Sequence, residues 1–440
     1  MESRSTTVPL SGVRPLPGSA HWANLRRGLT PLLRLVCVGT LAVVAFVVCV
    51  CAAGVVAAQS NARPPIKIGF MVPLSGGNAQ NGRDILNGFL MYLDEIGYRA
   101  GGRKIDLIVE DDEAIPAVGL TKARKLIERD EVHVMAGALL SSTGYALAPY
   151  ITSMKIPMVY PVVSADDLTQ RRRSDWIVRT GWSGSQPNHA FGEYAYRTLG
   201  IRSVVTIALD YAFGWESVGG FERTFVAEGG RIQRKLWVPL SVHDFAPYLA
   251  QIPRDVDAVY ALLLGRSALQ FMKQYQEFGL KGRVKLIGGG TTTDEHVLPF
   301  MGDEALGTIT ALHYSAALDT PANKAFAETY RMRYKKVPSY YSESMYTGGK
   351  WLIAAINAIG GEVEDRQALI DALKRVKPEG LPRGPVALDE YGNPIENVYV
   401  RRVDRVNGQL QNTVIDTFPN VSQFWKYAPA DYLREPLYAR

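Results

Sequence analysis

Residues 66–77 read Ile66-Lys67-Ile68-Gly69-Phe70-Met71-Val72-Pro73-Leu74-Ser75-Gly76-Gly77, and this stretch decides the fold. A short apolar run closed by a Pro/Ser/Gly turn is the pattern of a strand buried on both faces. Ile85, Phe89, Leu90 and Leu93 follow at helical spacing, which predicts a helix over 82–96, and the apolar run at 105–109 then predicts a second strand. Together these make a βαβ unit. Outward from it the pattern repeats, with helix 117–127, strand 132–136, helix 144–153 and strand 158–160. A second series has strands near 204–208, 258–263 and 285–287 with helices between them, one over 267–278. Strands alternating with helices specify parallel, doubly wound sheets, and two such series specify two α/β lobes. With 440 residues, 47% of them hydrophobic, the chain is long enough for both. The stretch from Asp416 onward, with Phe418, Phe424 and Trp425, reads as an extended tail packed across a lobe.

The first residues have a different character. Arg4, Arg14, Arg26, Arg27 and Arg34 precede an uncharged run over 35–58, the layout of an export leader, and Val56-Ala57-Ala58 offers small residues for cleavage after Ala58. The alternative is an uncleaved anchor, since the run is long enough to span a bilayer. Arg26-Arg27 is a faint twin-arginine signal, and Val48 and Val50 ahead of Cys49 and Cys51 argue against lipidation. All three cysteines (Cys37, Cys49, Cys51) fall in this leader, so the remainder carries neither disulfide nor thiol nucleophile. Removing the leader's five Arg and one Glu from 49 basic and 43 acidic residues leaves 44 against 42. The basic balance therefore belongs largely to the leader, and the electrostatic case for a nucleic-acid partner goes with it.

No catalytic constellation stands out. There is no G-x-S-x-G elbow, no phosphate loop and no H-E-x-x-H, and Gly181-Trp182-Ser183-Gly184 reads as a turn. His133, His189, His243, His296 and His313 are scattered and read as structural rather than as metal ligands. Asp111-Asp112, Asp166-Asp167 and Arg171-Arg172-Arg173 read as solvated surface. What remains is a set of hydroxyl-rich loops at predicted strand ends, where open parallel sheets place their ligands. Chief among them is Ser141-Ser142-Thr143-Gly144. Ser142 or Thr143 is expected to cap the helix that follows, and the free amides of a helix N-terminus suit an anion.

These loops carry a family resemblance. Pro73-Leu74-Ser75-Gly76 with Gly82, Gly137 to Ser142, Pro161-Val162-Val163-Ser164 before Leu168-Thr169, Asp210 to Gly214, and Pro321 to Phe326 resemble the leucine/isoleucine/valine-binding-like proteins, the type I periplasmic receptors of ABC importers. The resemblance spans 66–425. It implies two lobes joined by three chain crossings, closure about a hinge without bond chemistry or cofactor, a membrane permease as partner, and a monomer in the periplasm. The division expected is leader 1–58, lobe 1 at 66–181 and 316–385, lobe 2 at 182–315 and 386–415, and tail 416–440. It further implies that Ser141, Ser142 and Ser164 hold a ligand carboxylate, with Asn81 contributing from the first loop and Phe213 closing over from lobe 2.

One departure matters. Amino-acid binders of this family place an acid after the lobe 2 strand to pair the ligand's ammonium, whereas here the loop reads Gly288-Gly289-Gly290-Thr291-Thr292-Thr293 and the first carboxylate is Asp294. A buried ammonium without a counter-charge costs several kcal/mol, so a carboxylate lacking it, an aromatic acid, fits better than a branched-chain amino acid. The stretch 288–307 also looks like receptors of aromatic acids. Tyr211 and Trp182 can stack on a flat ligand or pack the lobes. Arg266 can grip a carboxylate or simply face solvent. The expected binding set is Asn81, Ser141, Ser142, Thr143, Val163, Ser164, Tyr211, Phe213, Arg266 and Thr291, with no catalytic or metal residue. The rival readings are a ligand sensor of the same fold and an exported hydrolase.

Overall fold

A computed structural model of the chain describes residues 63–440. The expected cleavage point, and the choice between leader and anchor, lie outside the described residues. Among those described, no helix is long and apolar enough to cross a membrane.

The opening strand β1 (Ile66–Val72) is buried along almost its whole length, as a central parallel strand must be. Helix α1 (Ala79–Glu95) follows, then the short β2 (Arg99–Ala100), β3 (Arg103–Asp111), helix α2 (Pro116–Arg124), β4 (Val134–Gly137), helix α3 (Ser141–Met154), β5 (Met158–Tyr160) and β6 (Ile177–Arg179). They form one sheet in the order β2-β3-β1-β4-β5-β6, parallel except for β2. Ile68 stands opposite both Leu107 and Val134. The expected strands are present. β6, three residues long, is the addition, being too short to display a period.

The chain continues through α4 (Gln186–Arg197), β7 (Ser203–Leu209), α5 (Ala212–Ala227), β8 (Arg231–Val238), the single turn α6 (Ala246–Leu249), β9 (Ala258–Leu262), α7 (Gly265–Glu277), β10 (Lys285–Gly289) and β11 (Ile309–Leu312). Helices α8 (Pro321–Tyr334), α9 (Tyr340–Ala358) and α10 (Arg366–Arg375) come next, then β12 (Val386–Leu388), β13 (Pro394–Val406), β14 (Gln409–Val421) and a closing turn α11 (Pro429–Tyr432). The second sheet runs β12-β13-β11-β10-β9-β7-β8, with β14 beside β13. Strands β7 to β11 are parallel to their neighbours, whereas β13 pairs antiparallel with β11, β12 and β14. The wholly parallel expectation is corrected for this edge.

The tail expectation is corrected as well. Residues 416–421 are the second half of β14, paired to β13 through a tight hairpin at Asn407-Gly408. Both turn residues have positive φ, 50° and 80°, the chemistry that two-residue hairpins favour. Only beyond Val421 does the chain leave the sheet, and there Phe424 is buried and Trp425 meets Phe418 edge-on at 5.9 Å.

Helix α9 packs on α1 and α10 packs on α9 and β6, so the chain crosses between the two sheets three times: from β6 to α4, from β11 to α8, and from α10 to β12. Arg383 lies in the last crossing with its side chain fully buried, 2.6 Å from Glu343 of α9 and 3.0 Å from Glu396 of β13. It also donates to the carbonyls of Thr180 and Gly181 in the first crossing. One guanidinium thus ties both sheets and two crossings together, and burial pushes the Glu396 carboxyl up to about 8 despite the arginine beside it.

Candidate ligand-binding site

The site forms where the carboxyl ends of the two sheets face one another. On the first sheet, β4 ends at Gly137 with φ 106°, where a Cβ would lie 2.2 Å from the Met71 carbonyl, so only glycine lets the strand turn there. Ala138 follows at φ 60°, and the chain enters α3 at Ser141. Ser141 is buried, and its Oγ lies 3.4 Å from Oγ of Ser164, which sits in the loop after β5. The expected cap is absent: Leu140 occupies the N-cap position, and no side chain caps the helix. Ser142 and Thr143 already lie inside the first turn, so their backbone N–H groups, like that of Ser141, precede the first intrahelical donor, Gly144. A helix end of this kind is an anion seat.

Facing them are rings, Trp182, Tyr211 and Phe213 from the second side, joined by Tyr340 and Tyr341 at the start of α9. Tyr211 leads into α5, and its ring lies 5.9 Å from Phe213, which stands edge-on to Trp182 at 5.5 Å. Trp182 also meets Tyr340 edge-on at 6.1 Å and His313 at 5.6 Å. Tyr340 lies 4.0 Å from Tyr341, which His296 approaches at 5.1 Å. The Trp182 indole N–H and the Tyr341 hydroxyl have no hydrogen-bond partner within 3.5 Å among the described residues.

Asp294 and His296 complete this rim. Asp294 is fully buried; its Oδ1 is 2.6 Å from His296 Nδ1, and its Oδ2 accepts the Tyr340 N–H at 3.2 Å. Burial alone would raise the Asp294 carboxyl, but the bond and charge of His296 outweigh it and hold it below the ordinary range. Across the gap, His296 Nε2 lies 3.3 Å from Nδ2 of the buried Asn81 at the start of α1, so these side chains join the two rims. Tyr145 of α3 makes a second bridge, donating to Glu216 of α5 at 2.6 Å. At the mouth lies a cavity of about 340 Å³ lined by residues 76–78, Leu140, Tyr211, Leu240, Ser241, His243, Leu264 and Arg266.

The structure thus brings Asn81, Ser141, Ser142, Ser164, Tyr211 and Phe213 to facing rims and treats the other expected residues differently. Val163 packs its methyl groups on Gly144 inside the first lobe's core. Thr143 is buried with its methyl against Gly119 of α2. Thr291 donates its hydroxyl to the Leu263 carbonyl at 2.8 Å and has no proton left for a ligand. Arg266 is exposed at the mouth. Asp294, His296, Tyr340 and Tyr341 are additions. Their only sequence signal is a run of polar and aromatic residues after a predicted strand, and His296 is a bridge between the rims.

The acidic pairs are corrected too. Asp112, Asp166 and Asp167 are buried, not solvated, because they accept at turns: Asp112 from the Ala114 N–H, Asp166 from the Ser185 N–H. Arg171 binds Asp167 at 3.1 Å and two carbonyls of the C-terminal segment, whereas Arg172 and Arg173 are exposed as expected.

This architecture and the chain's sequence match the model of the periplasmic binding protein family over residues 65–409. The chain belongs to that family. This periplasmic binding protein is 30% identical over 361 residues to the Leu/Ile/Val-binding protein homolog 6 of Brucella melitensis, covering 80% of this chain and 91% of the relative. Its fold superposes with a TM-score of 0.78 on an ABC transporter substrate-binding protein from Sphaerobacter thermophilus, 36% identical, covering 82% of this chain and 99% of that one. It superposes equally, at TM-score 0.78 and 35% identity over 82% and 98% of the two chains, on a solute-binding protein from Rhodopseudomonas palustris in complex with 3,4-dihydroxybenzoic acid. It is a substrate-binding protein of the Leu/Ile/Val-binding-like family and not an enzyme.

Proposed function

We propose that this protein captures a small aromatic carboxylate outside the cytoplasmic membrane and presents it, closed, to an ABC permease. The carboxylate sits at the start of α3, gripped by the Ser141 and Ser164 hydroxyls and the first-turn amides, while Trp182, Phe213 and Tyr340 stack around the ring. Lobe 1 (66–181, 316–385) receives the ligand, and lobe 2 (182–315, 386–415) closes over it about the Arg383 joint. Closure is favoured because the second-rim contacts form only when the ligand is present.

The observation that carries this choice of ligand is the state of Asp294. Both its oxygens are engaged, by His296 and by the Tyr340 amide, so it is not free to receive an ammonium. The dihydroxybenzoate held by the Rhodopseudomonas palustris relative supports the same class. A branched-chain amino acid is the second reading, favoured by the buried carboxylate of Asp294 on this rim; it requires Asp294 to release His296.

Thermal denaturation with benzoates, hydroxylated benzoates and cinnamates, dicarboxylates and branched-chain amino acids tests the reading. A ligand at 100 times its Kd stabilises by about 2.7 kcal/mol, so the aromatic acids should raise Tm by several degrees. Leucine as the best stabiliser would sink the aromatic-acid reading.

A further inference from the structure

Away from the ring cluster, the two rims also meet through carboxyl groups. Glu216 of α5 is buried; its Oε1 accepts from Tyr145 of α3, and the carboxyl also accepts the Asp166 N–H from the loop after β5. Asp166 is buried as well, its Oδ1 engaged by the Ser185 N–H at 3.1 Å. The second oxygen of each, Glu216 Oε2 and Asp166 Oδ2, is closed to solvent and has no hydrogen-bond partner among the described residues. Although the Ser185 hydroxyl also lies beside the Asp166 carboxyl, these two buried acids, one from each rim, each keep one oxygen that no well-aligned donor reaches.

The surrounding charges do not supply it. Arg179 of β6 lies close to both carboxyls, but its Nη1 donates to Asn393, its Nη2 to the Ala165 carbonyl, and its buried Nε has no hydrogen-bond partner among the described residues. Asp167 and Asp389 add negative charge nearby. The hydroxyls of Tyr145, Tyr211, Tyr432 and Tyr438 face the pair from α3, the α5 entry and the C-terminal segment. Asp166, Asp167 and Glu216 themselves line a cavity of about 220 Å³, together with Arg171 and Arg172, whose charges oppose a metal ion or an amine there. The free oxygens are closed to solvent, and even a Cβ added at Gly184 would lie 3.4 Å from Glu216 Oε2, so what reaches them without displacing these neighbours is a proton.

We propose that bringing the rims together takes up one proton from solvent onto the Asp166–Glu216 pair, so that the closed form is favoured as pH falls. Burial agrees, pushing Asp166 up to about 6 and Glu216 well above the usual carboxylate range. With the rims apart both acids are hydrated and titrate near 4. Between that value and the raised one, only the closed form binds the extra proton. Apparent affinity should then fall about tenfold per pH unit across the window and level off above it. This inference rests on hinge closure, as in the proposed function, but not on the ligand named there.

The test is a closed form made without ligand. Full-length chain with Cys37, Cys49 and Cys51 changed to Ser, carrying N81C and H296C, is bridged by a short bis-maleimide, and its side-chain carboxyls are titrated by carbon NMR. Bridging should move one carboxyl upward by more than about one pH unit, and E216Q should abolish that signal. Identical titration of bridged and unbridged protein, survival of the signal in E216Q, or failure of the bridge to form would each overturn the proposal. Calorimetry with 3,4-dihydroxybenzoate in buffers of different ionisation enthalpy should show uptake of about one proton in the wild type and none in E216Q. If that probe does not bind, the ligand reading fails and the bridged titration decides the latch alone.

Discussion

The two rims of this site are built from similar residues and do different things. On the first, Ser141 and Ser164 lie within 3.4 Å of each other at an uncapped helix end, with amides ahead of the first intrahelical bond. On the second, three consecutive threonines look just as suited to gripping a ligand, yet each is engaged in its own lobe: Thr291 with Leu263, Thr292 with Ala261, Thr293 with Asn412. What the second rim offers instead is rings, and one imidazole locked to Asp294. A hydroxyl on a rim is a ligand group only if the backbone beneath it does not already use it, and hydrogen bonds to charged groups are the stronger kind. In the proposed function the first rim is therefore the grip and the second the lid.

Four substitutions break or sharpen that contrast, taken from the largest effect down. Both rims depend on the joint that sets them face to face, so Arg383→Met, which leaves Glu343 and Glu396 buried without their cation, should cost about 3–5 kcal/mol in urea denaturation. If stability is unchanged, the joint is not where the lobes are held. Ser141→Ala with Ser164→Ala should weaken binding of the best aromatic acid about 100-fold, two lost charge-assisted bonds at about 1.5 kcal/mol each, while the denaturation midpoint scarcely moves. Equal affinity in that double variant would remove the grip. Phe213→Ala, on the lid, should cost about tenfold, mostly as faster dissociation in stopped-flow displacement; a slower association instead would place the ring in the encounter step. Thr291→Val should leave affinity alone and reduce stability by about 1 kcal/mol, the worth of its bond to Leu263. A loss of affinity there would mean the second rim also grips.

Much of the fold was readable in advance because it rests on short-range patterning. β1, the spacing of Ile85, Phe89 and Leu93, and the hydroxyl loop at 141–143 each declare their role within a dozen residues. The β13–β14 hairpin was equally declared by Asn407-Gly408, but β13 carries charges on both faces and β14 mixes polar and apolar residues without alternation, so the period that would mark them is weak. The cap expected at α3 is absent because Ser142 and Thr143 satisfy the composition of a cap while lying two and three residues beyond the N-cap position, Leu140.

By itself the sequence determined two parallel-sheet lobes, the place where each sheet opens, and the hydroxyl grip on the first, since all of these follow from periodicity and from turn chemistry between neighbours in the chain. Only the tertiary structure decided that Asp294 is taken by His296, that the threonines face inward, and that Asp166 and Glu216 are buried near one another. Asp294 and His296 are two positions apart, but the contacts that orient them are not: Asp294 reaches Tyr340 across 46 positions and His296 reaches Asn81 across 215. Whether a polar group is free or engaged depends on who stands opposite, which no local pattern encodes.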